Sequence, residues 1–226
     1  MRRLPPLLPS LLVGIACCTL LLALAGPAAA QEEATADSFR LTQSFSVGNA
    51  TWVSLELSVG DLEVRSSDGP DFEVDLEIEC TAKGAKCEKL ARALKIDSRR
   101  RGDRLEIRLK GPTRAMGSTI RLKGTVLAPR RLPLAIELGV GDLEVSGFTH
   151  DLRLEVGVGN LQVRLPESAV RIVDLDTNVG KAALVLPSGR LEGTGLVGKA
   201  LRWTSGRGSS AVELDVNVGN IEIVLY

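Results

Sequence analysis

Apolar and polar residues alternate along several short stretches of this chain. Asp71–Glu79 places four apolar residues on one side and five carboxylates on the other. Arg104–Lys110 and Ile120–Lys123 alternate as well, with mainly basic residues at their polar positions. Because side chains two positions apart lie on one face of a β-strand, this pattern predicts an all-β fold of short, half-buried strands.

One stretch departs from the alternation. Residues 86–94 are rich in helix formers and carry Leu90 and Leu94 four positions apart. This spacing predicts one short helix at the edge of the sheet.

A short phrase of valine, glycine, a polar residue and alternating apolar residues recurs along the chain. The last five of its glycines are separated by 18, 21, 18 and 21 residues, and a fixed period of this size is typical of repeat proteins. The copy around Gly198 is irregular, because Arg202 stands where the other copies have an aliphatic residue. The repeated glycines are Gly60, Gly141, Gly159, Gly180, Gly198 and Gly219.

Each copy predicts two strand segments joined at a glycine corner, since glycine adopts positive φ at little cost. One such unit is too small to bury its own apolar face, and stacking the units would form a continuous aliphatic core. We therefore predict a β-solenoid, or β-helix-like, stack. The alternative is a hairpin at each glycine, with residues 152–156 paired to residues 161–165, which would give an antiparallel meander or sandwich.

The N-terminal residues have the composition of a secretory signal peptide. Arg2 and Arg3 precede an apolar run, and Ala28 and Ala30 stand at −3 and −1 of a cleavage site after Ala30. We therefore expect export to the periplasm, the outer surface or the extracellular space, with no transmembrane segment after cleavage. The predicted segments are a signal peptide (1–30), a disordered leader (31–38) and a single domain (39–226) with an irregular half (39–130) and a half of regular repeats (131–226).

The repeated V-G-[DN]-[LI]-x-[VI] phrases, the Val126–Pro129 step before them and the export signal resemble a known bacterial family. It is a secreted β-strand-repeat family of unknown function, often labelled "putative adhesin". The resemblance covers residues 39–226 and implies a right-handed β-solenoid-like fold at the cell envelope. The motif specifies fold rather than activity, and the family has no established catalytic residues to transfer.

Charge is balanced over the chain but unevenly distributed. Residues 1–30 carry two arginines and no acid, so residues 31–226 have 26 basic and 28 acidic side chains. This balance argues against nucleic acid as a partner. Residues 32–79 carry 12 acids and two bases, whereas residues 99–131 carry 11 bases and two acids. The basic stretch either pairs with the acidic strands or forms a patch for anionic polymers such as lipopolysaccharide or acidic glycans.

Two cysteines remain outside the predicted signal peptide. Cys80 and Cys87 are seven positions apart in a chain expected to be exported, which predicts a disulfide rather than two free thiols. With His150 as the only histidine, a zinc site is not expected. We predict no cofactor.

Carboxylates recur four positions before the repeated glycines. On stacked strands they would form a column with a spacing of about 4.8 Å. Such a column is either an ordinary solvated face or a low-affinity Ca²⁺ ladder, since Ca²⁺ takes oxygen ligands. Its members are Glu56, Glu137, Glu155, Asp176 and Asp215.

A polysaccharide-acting enzyme with paired carboxylates is the alternative function. Asp174 and Asp176 would then act near Glu155, whereas His150 is predicted to be a surface loop residue without a nucleophile partner. No phosphate-binding loop or nucleophile motif is present. We therefore predict a non-catalytic structural or adhesion-type module at the bacterial envelope that binds an unidentified polymer or protein. Open terminal rungs, the last of them residues 221–225, would permit self-association.

Overall fold

The computed structural model describes residues 38–80, 85–111, 120–195, 198–205 and 207–226. The predicted signal peptide and the predicted leader up to residue 37 lie outside the described residues. The described chain contains fourteen strands and one α-helix, which confirms the all-β prediction with one short helix. In chain order the elements are β1 Ser38–Ser46, β2 Trp52–Val59, β3 Asp61–Ser67, β4 Asp71–Cys80, α1 Ala85–Ala93, β5 Lys95–Arg101, β6 Arg104–Lys110, β7 Ile120–Pro129, β8 Leu134–Val140, β9 Leu143–Ser146, β10 Leu152–Leu165, a 3-10 turn Glu167–Ala169, β11 Val170–Leu186, β12 Gly189–Glu192, β13 Lys199–Thr204 and β14 Ser210–Leu225.

Five parallel rungs form the centre of the sheet. Three rungs are the long strands β10, β14 and β11, and two are strand pairs, β2 with β3 and β8 with β9. The rungs pair in register, so Gly159 is level with Gly219, and Gly219 with Gly180. Gly60 and Gly141 extend this glycine column, because their N–H groups donate to carbonyls of the next rung at 2.9 Å. Residues 152–156 and 161–165 belong to one strand, β10, and do not pair with each other.

The rungs do not stack in the order of the sequence. The last strand of the chain, β14, lies between β10 and β11 and pairs with both of them. The prediction that residues 221–225 would form an open terminal rung is therefore wrong. Because the backbone groups of β14 are hydrogen-bonded on both sides, no free edge remains there for a second chain.

Gly198 does not join the glycine column. It precedes β13, which runs antiparallel to β11 along Ile172–Thr177. A phrase that runs in the opposite direction cannot stack in register with its parallel copies, so the predicted set of six equivalent glycines is corrected to five. The valine before Gly198 lies outside the described residues.

The column glycines divide each rung into a first arm, before the glycine, and a second arm, after it. Alternate residues are buried along most of both arms, and in β10 these include Leu154, Val156, Leu161 and Val163. The inner faces of the two arms share one hydrophobic core. Burial of one such side chain contributes about 1.5–3 kcal/mol, so the stacked aliphatic positions are a main source of stability.

Antiparallel strands extend the sheet beyond the rungs. The first arm continues through β6 to β5 at one end and to β13 at the other. The second arm continues through β7 and β4 to β1 at one end and to β12 at the other. Among the described strands, the free edges are therefore β1, β5, β12 and β13.

The acidic strand β4 meets one of the two basic strands. It pairs with β7, where Lys123 lies 3.0 Å from Glu79. The other basic strand, β6, pairs with β2 and β5 instead. The charges of β4 therefore neutralise only part of the basic stretch 99–131.

A disulfide joins Cys80, the last residue of β4, to Cys87 in α1, as predicted. It fastens the helix to the sheet. No helix in the described ranges is long and apolar enough to cross a membrane.

Candidate functional site

Valines form an exposed stripe along the corner between the two arms. Each precedes a column glycine whose φ lies between +136° and +150°, a conformation that favours glycine. Alternation along each strand would place these valines on the buried face. The alternation is interrupted at the glycine, however, and four of the valines are 41–54% exposed. Since they pair in register on adjacent rungs, they lie about 4.8 Å apart. The valine stripe consists of Val140, Val158, Val218 and Val179, and the partly buried Val59 continues it.

A ladder of aspartate and asparagine side chains runs beside the valine stripe, one residue after four of the five column glycines, and Lys181 follows the fifth, Gly180. Asp61 Oδ1 accepts a hydrogen bond from the Asp142 backbone N–H at 3.1 Å. The Asn160 side-chain amide donates to Asp142 Oδ1, and the Asn220 amide donates to Asn160 Oδ1, both at 2.9 Å. These bonds hold the polar side chains in one row, so the corner presents an ordered surface of adjoining apolar and polar columns.

The predicted carboxylates lie in register on the outer face of the first arm. Their order across the sheet is Glu56, Glu137, Glu155, Asp215 and Asp176. Arg108 is 2.9 Å from Glu56 and caps one end of the column. Burial raises the pKa of Asp215 above 3.8, and the charges of Asp176 and Glu155 raise it further, while Arg153 opposes them.

The carboxylate column does not form a cage for a cation. Within the described ranges, no group of three or more His, Cys, Asp or Glu side chains is arranged to hold a metal ion. Ca²⁺ takes about six to eight oxygen ligands, and each rung supplies one carboxylate to the column. The Ca²⁺ ladder has no preformed site in this part of the chain, and it stays a prediction.

The carboxylates suggested for an enzyme line one open cavity of about 310 Å³. Asp215 lies between Glu155 and Asp176, which are two rungs apart, and Asp174 is 3.6 Å from Arg202. The raised pKa of Asp215 is the feature that an acid catalyst would need. His150 lies elsewhere, with Nδ1 2.9 Å from the Arg130 carbonyl oxygen on an exposed loop.

A second cavity, of about 590 Å³, opens on the outer face of the second arm. Its charges are partly neutralised from within, because Arg40 Nε donates to Asp75 Oδ1 at 2.7 Å and Arg40 lowers the pKa of Asp75. Glu63 is likewise paired with Arg65.

Two features of the surface were not anticipated from the sequence. The valine stripe could have been found, because the residues one before and two after each glycine are three apart and cannot share a face of one regular strand. The contact between Arg104 and Trp52, with the guanidinium carbon 5.6 Å from the ring centroid, had no such signal. The two residues are 52 positions apart, and only the pairing of β2 with β6 brings them together.

Comparisons with known proteins give a relationship in fold. No protein-family model and no curated protein matches this sequence. A solved structure of a "putative cell adhesion protein" from Clostridium sporogenes is similar over 84% of this chain and 100% of its own, with 15% identity and a TM-score of 0.55. A "putative adhesin" from Parabacteroides distasonis matches over 82% of this chain and 68% of its own, with 12% identity and a TM-score of 0.34.

The Clostridium protein and this chain share a fold, and at 15% identity the likeness extends to the fold alone. It confirms the resemblance to the adhesin-labelled family of unknown function at the level of architecture. What these proteins bind has to be argued from the surface of this chain.

Proposed function

We propose that this protein is an exported, non-catalytic adhesion-type module of the bacterial cell envelope that binds an extended polymer or a protein surface. The observation that carries the proposal is the corner of the rungs, where the exposed valine stripe runs beside an ordered row of amides and carboxylates. An exposed apolar row rimmed by polar groups is typical of an interaction surface.

The geometry of this surface favours a partner that is extended. The valines recur at the rung spacing of about 4.8 Å over four adjacent rungs, which gives a row about 15 Å long. A row of identical side chains makes equivalent contacts with successive units of a chain-like ligand. We further propose that the five rungs act as a short solenoid-like stack, which their parallel pairing in register and the glycine column support.

The proposed location is supported by the disulfide between Cys80 and Cys87. Disulfides persist in oxidising compartments and are rare in the reducing cytosol. The predicted signal peptide points in the same direction.

The proposal is tested by capturing partners from an envelope fraction with the immobilised protein and washing with 0.5 M salt. We expect a partner that survives the wash, because apolar contacts are not screened by salt. Replacing Val140, Val158 and Val218 by serine should abolish its retention. The matched control is Leu191→Ser, which removes an equally exposed apolar side chain, 43% exposed, outside the valine stripe. Equal retention by the triple variant would refute the role of the corner.

The enzymatic alternative rests on the cavity around Asp215. It predicts release of reducing sugar ends from an envelope polysaccharide, and it predicts that Asp215→Asn abolishes the release while Asp61→Asn does not. Under the non-catalytic proposal, neither the protein nor its variants release reducing ends.

A further inference from the structure

We propose that the outer face of the β5–β6 hairpin is a docking surface for an acidic polysaccharide, a glycan chain that carries carboxylate groups. This inference rests on the proposed function and deepens it, since it names the class of polymer and a second surface that binds it. It is carried by an array of cations that strand pairing assembles at one end of the first arm.

Eight charged side chains share this face. Cross-strand pairing opposes Lys95 to Lys110 and Arg101 to Arg104, and the four positions between them hold two acids and two arginines. Six of the eight residues are cations, so the face carries a net charge of +4. The basic face comprises Lys95, Asp97, Arg99, Arg101, Arg104, Glu106, Arg108 and Lys110.

Three of the six cations on the basic face form no ion pair within the described ranges, although the charge of Arg99 acts on Asp97 and that of Arg104 acts on Asp103. Lys110 pairs with Asp97, Arg108 lies 2.9 Å from Glu56, and Arg101 lies 3.5 Å from Glu106. No ion pair among the described residues involves the other three cations, which are Lys95, Arg99 and Arg104. Like charges directly opposed across two strands are destabilising. An anionic ligand would relieve the Arg101–Arg104 and Lys95–Lys110 oppositions.

Arg104 is held in position before any ligand arrives. Its guanidinium carbon lies 5.6 Å from the ring centroid of Trp52, its partner across the β2–β6 pair. A guanidinium presents a planar fork of N–H donors that matches a carboxylate. Because the ring restricts its motion, Arg104 loses less side-chain entropy on binding than a free arginine does.

The surroundings of the basic face favour a polysaccharide over a membrane or a nucleic acid. The large exposed apolar residues of the described chain are the four valines of the stripe, Leu191 and Tyr226, and none of them lies on β5 or β6. A lipid bilayer would therefore find no apolar anchor beside the cations. Single-stranded nucleic acids require aromatic rings for base stacking, and Trp52, the aromatic residue at this face, is covered on one side by Arg104.

The experiment measures equilibrium binding of the purified protein to polygalacturonate, with neutral dextran as the uncharged comparison. We expect binding to polygalacturonate that weakens as salt is added, and none to dextran. The variant R99Q/R104Q should bind about tenfold more weakly, because it removes two exposed charge contacts. The control R164Q/R171Q removes two exposed arginines on β10 and β11, outside the basic face, and should bind within about twofold of the parent protein. Thermal melting of both variants should match the parent.

Three results would overturn the inference. They are no binding to polygalacturonate, equal losses in the two double variants, and tighter binding to anionic lipid vesicles or single-stranded DNA than to polygalacturonate. The envelope capture experiment separates this inference from the proposed function. If R99Q/R104Q retains partners as well as the parent does when the capture is repeated with a low-salt wash, which preserves electrostatic binding, the proposed function stands and the basic face has no part in it.

Discussion

Replacing Gly159 by alanine should destabilise the fold far more than the same replacement at Gly189. The two glycines have nearly identical φ angles, +149° and +147°. They differ in their surroundings. A Cβ atom at position 159 would lie 1.8 Å from the carbonyl oxygen of Gly141 on the next rung, whereas a Cβ at position 189 would have no atom within 4 Å.

The expected magnitudes follow from this difference. An L-residue in this region of φ is strained by about 1–3 kcal/mol, and Gly189→Ala should show this strain alone. At position 159 the obstacle is backbone, so the two rungs must separate until the contact exceeds 3.0 Å. That movement breaks corner hydrogen bonds such as Gly141 N–H to the Val158 carbonyl, each contributing about 1 kcal/mol, and loosens the packing beneath them. We expect a total loss above about 4 kcal/mol.

Gly60 provides an intermediate case. Its φ is +146°, and a Cβ there would lie 3.0 Å from the Cβ of Leu122, a tight contact with a side chain rather than a severe overlap with backbone. The predicted order of destabilisation is therefore Gly189→Ala, Gly60→Ala, Gly159→Ala, from smallest to largest. Urea unfolding followed by far-ultraviolet circular dichroism measures the free energy of unfolding of each variant.

The comparison has a clear refuting result. If Gly159→Ala and Gly189→Ala lower the free energy of unfolding by amounts within about 1 kcal/mol of each other, the column glycines are not in contact across the rungs. The explanation of the repeat by close backbone approach would then fail.

Three further changes test other parts of the structure. Asp215→Asn should stabilise the protein at pH 7 by about 0.4–2 kcal/mol, because two like-charge cross-strand oppositions disappear. Because the folded-state pKa of Asp215 is raised, ionisation of this side chain disfavours the folded state. The difference in unfolding free energy between the variant and the parent should therefore vanish as the pH falls toward 3.8. A difference that instead grows on acidification, measured by chemical denaturation, would contradict this. Replacing Cys80 and Cys87 by serine should lower the free energy of unfolding by about 2–3 kcal/mol, and an unchanged urea midpoint would show that the disulfide contributes nothing. Thr177→Val should be neutral or stabilising within about 1 kcal/mol. The buried hydroxyl of Thr177 donates only a 3.5 Å hydrogen bond to the Gly219 carbonyl, and its neighbours in the same column are Leu and Val. A loss of stability of more than about 2 kcal/mol in melting experiments would show that this bond matters.

The candidate surfaces were accessible to sequence reasoning to different degrees. Carboxylates four positions before each glycine could be placed in one column, because any in-register stack of the repeats brings them together. Their neighbours across the sheet could not. Glu155 lies beside Asp215 and not beside Asp176, because β14 enters between β10 and β11.

The basic stretch shows the same division. Alternation in residues 104–110 and 120–123 identified two strands with basic outer faces, and both are strands in the structure. Only the pairing pattern decides that β7 meets the acidic β4 while β6 lies between β2 and β5. This pairing neutralises part of the charge on β7. It leaves β6 beside β5, which is also basic.

By itself, the sequence determined the properties that arise within a few residues. Alternation gave strands with one buried face, the positive-φ glycines gave corners, the helix formers gave α1, and the spacing of two cysteines gave the disulfide. Tertiary structure alone decided the order of the rungs, the antiparallel placement of β13 that removes Gly198 from the column, and the contact between Arg104 and Trp52. The physical reason is that side-chain periodicity and backbone preference are local energies, whereas strand order depends on hydrogen-bonding partners that many sequence-distant segments could supply equally well.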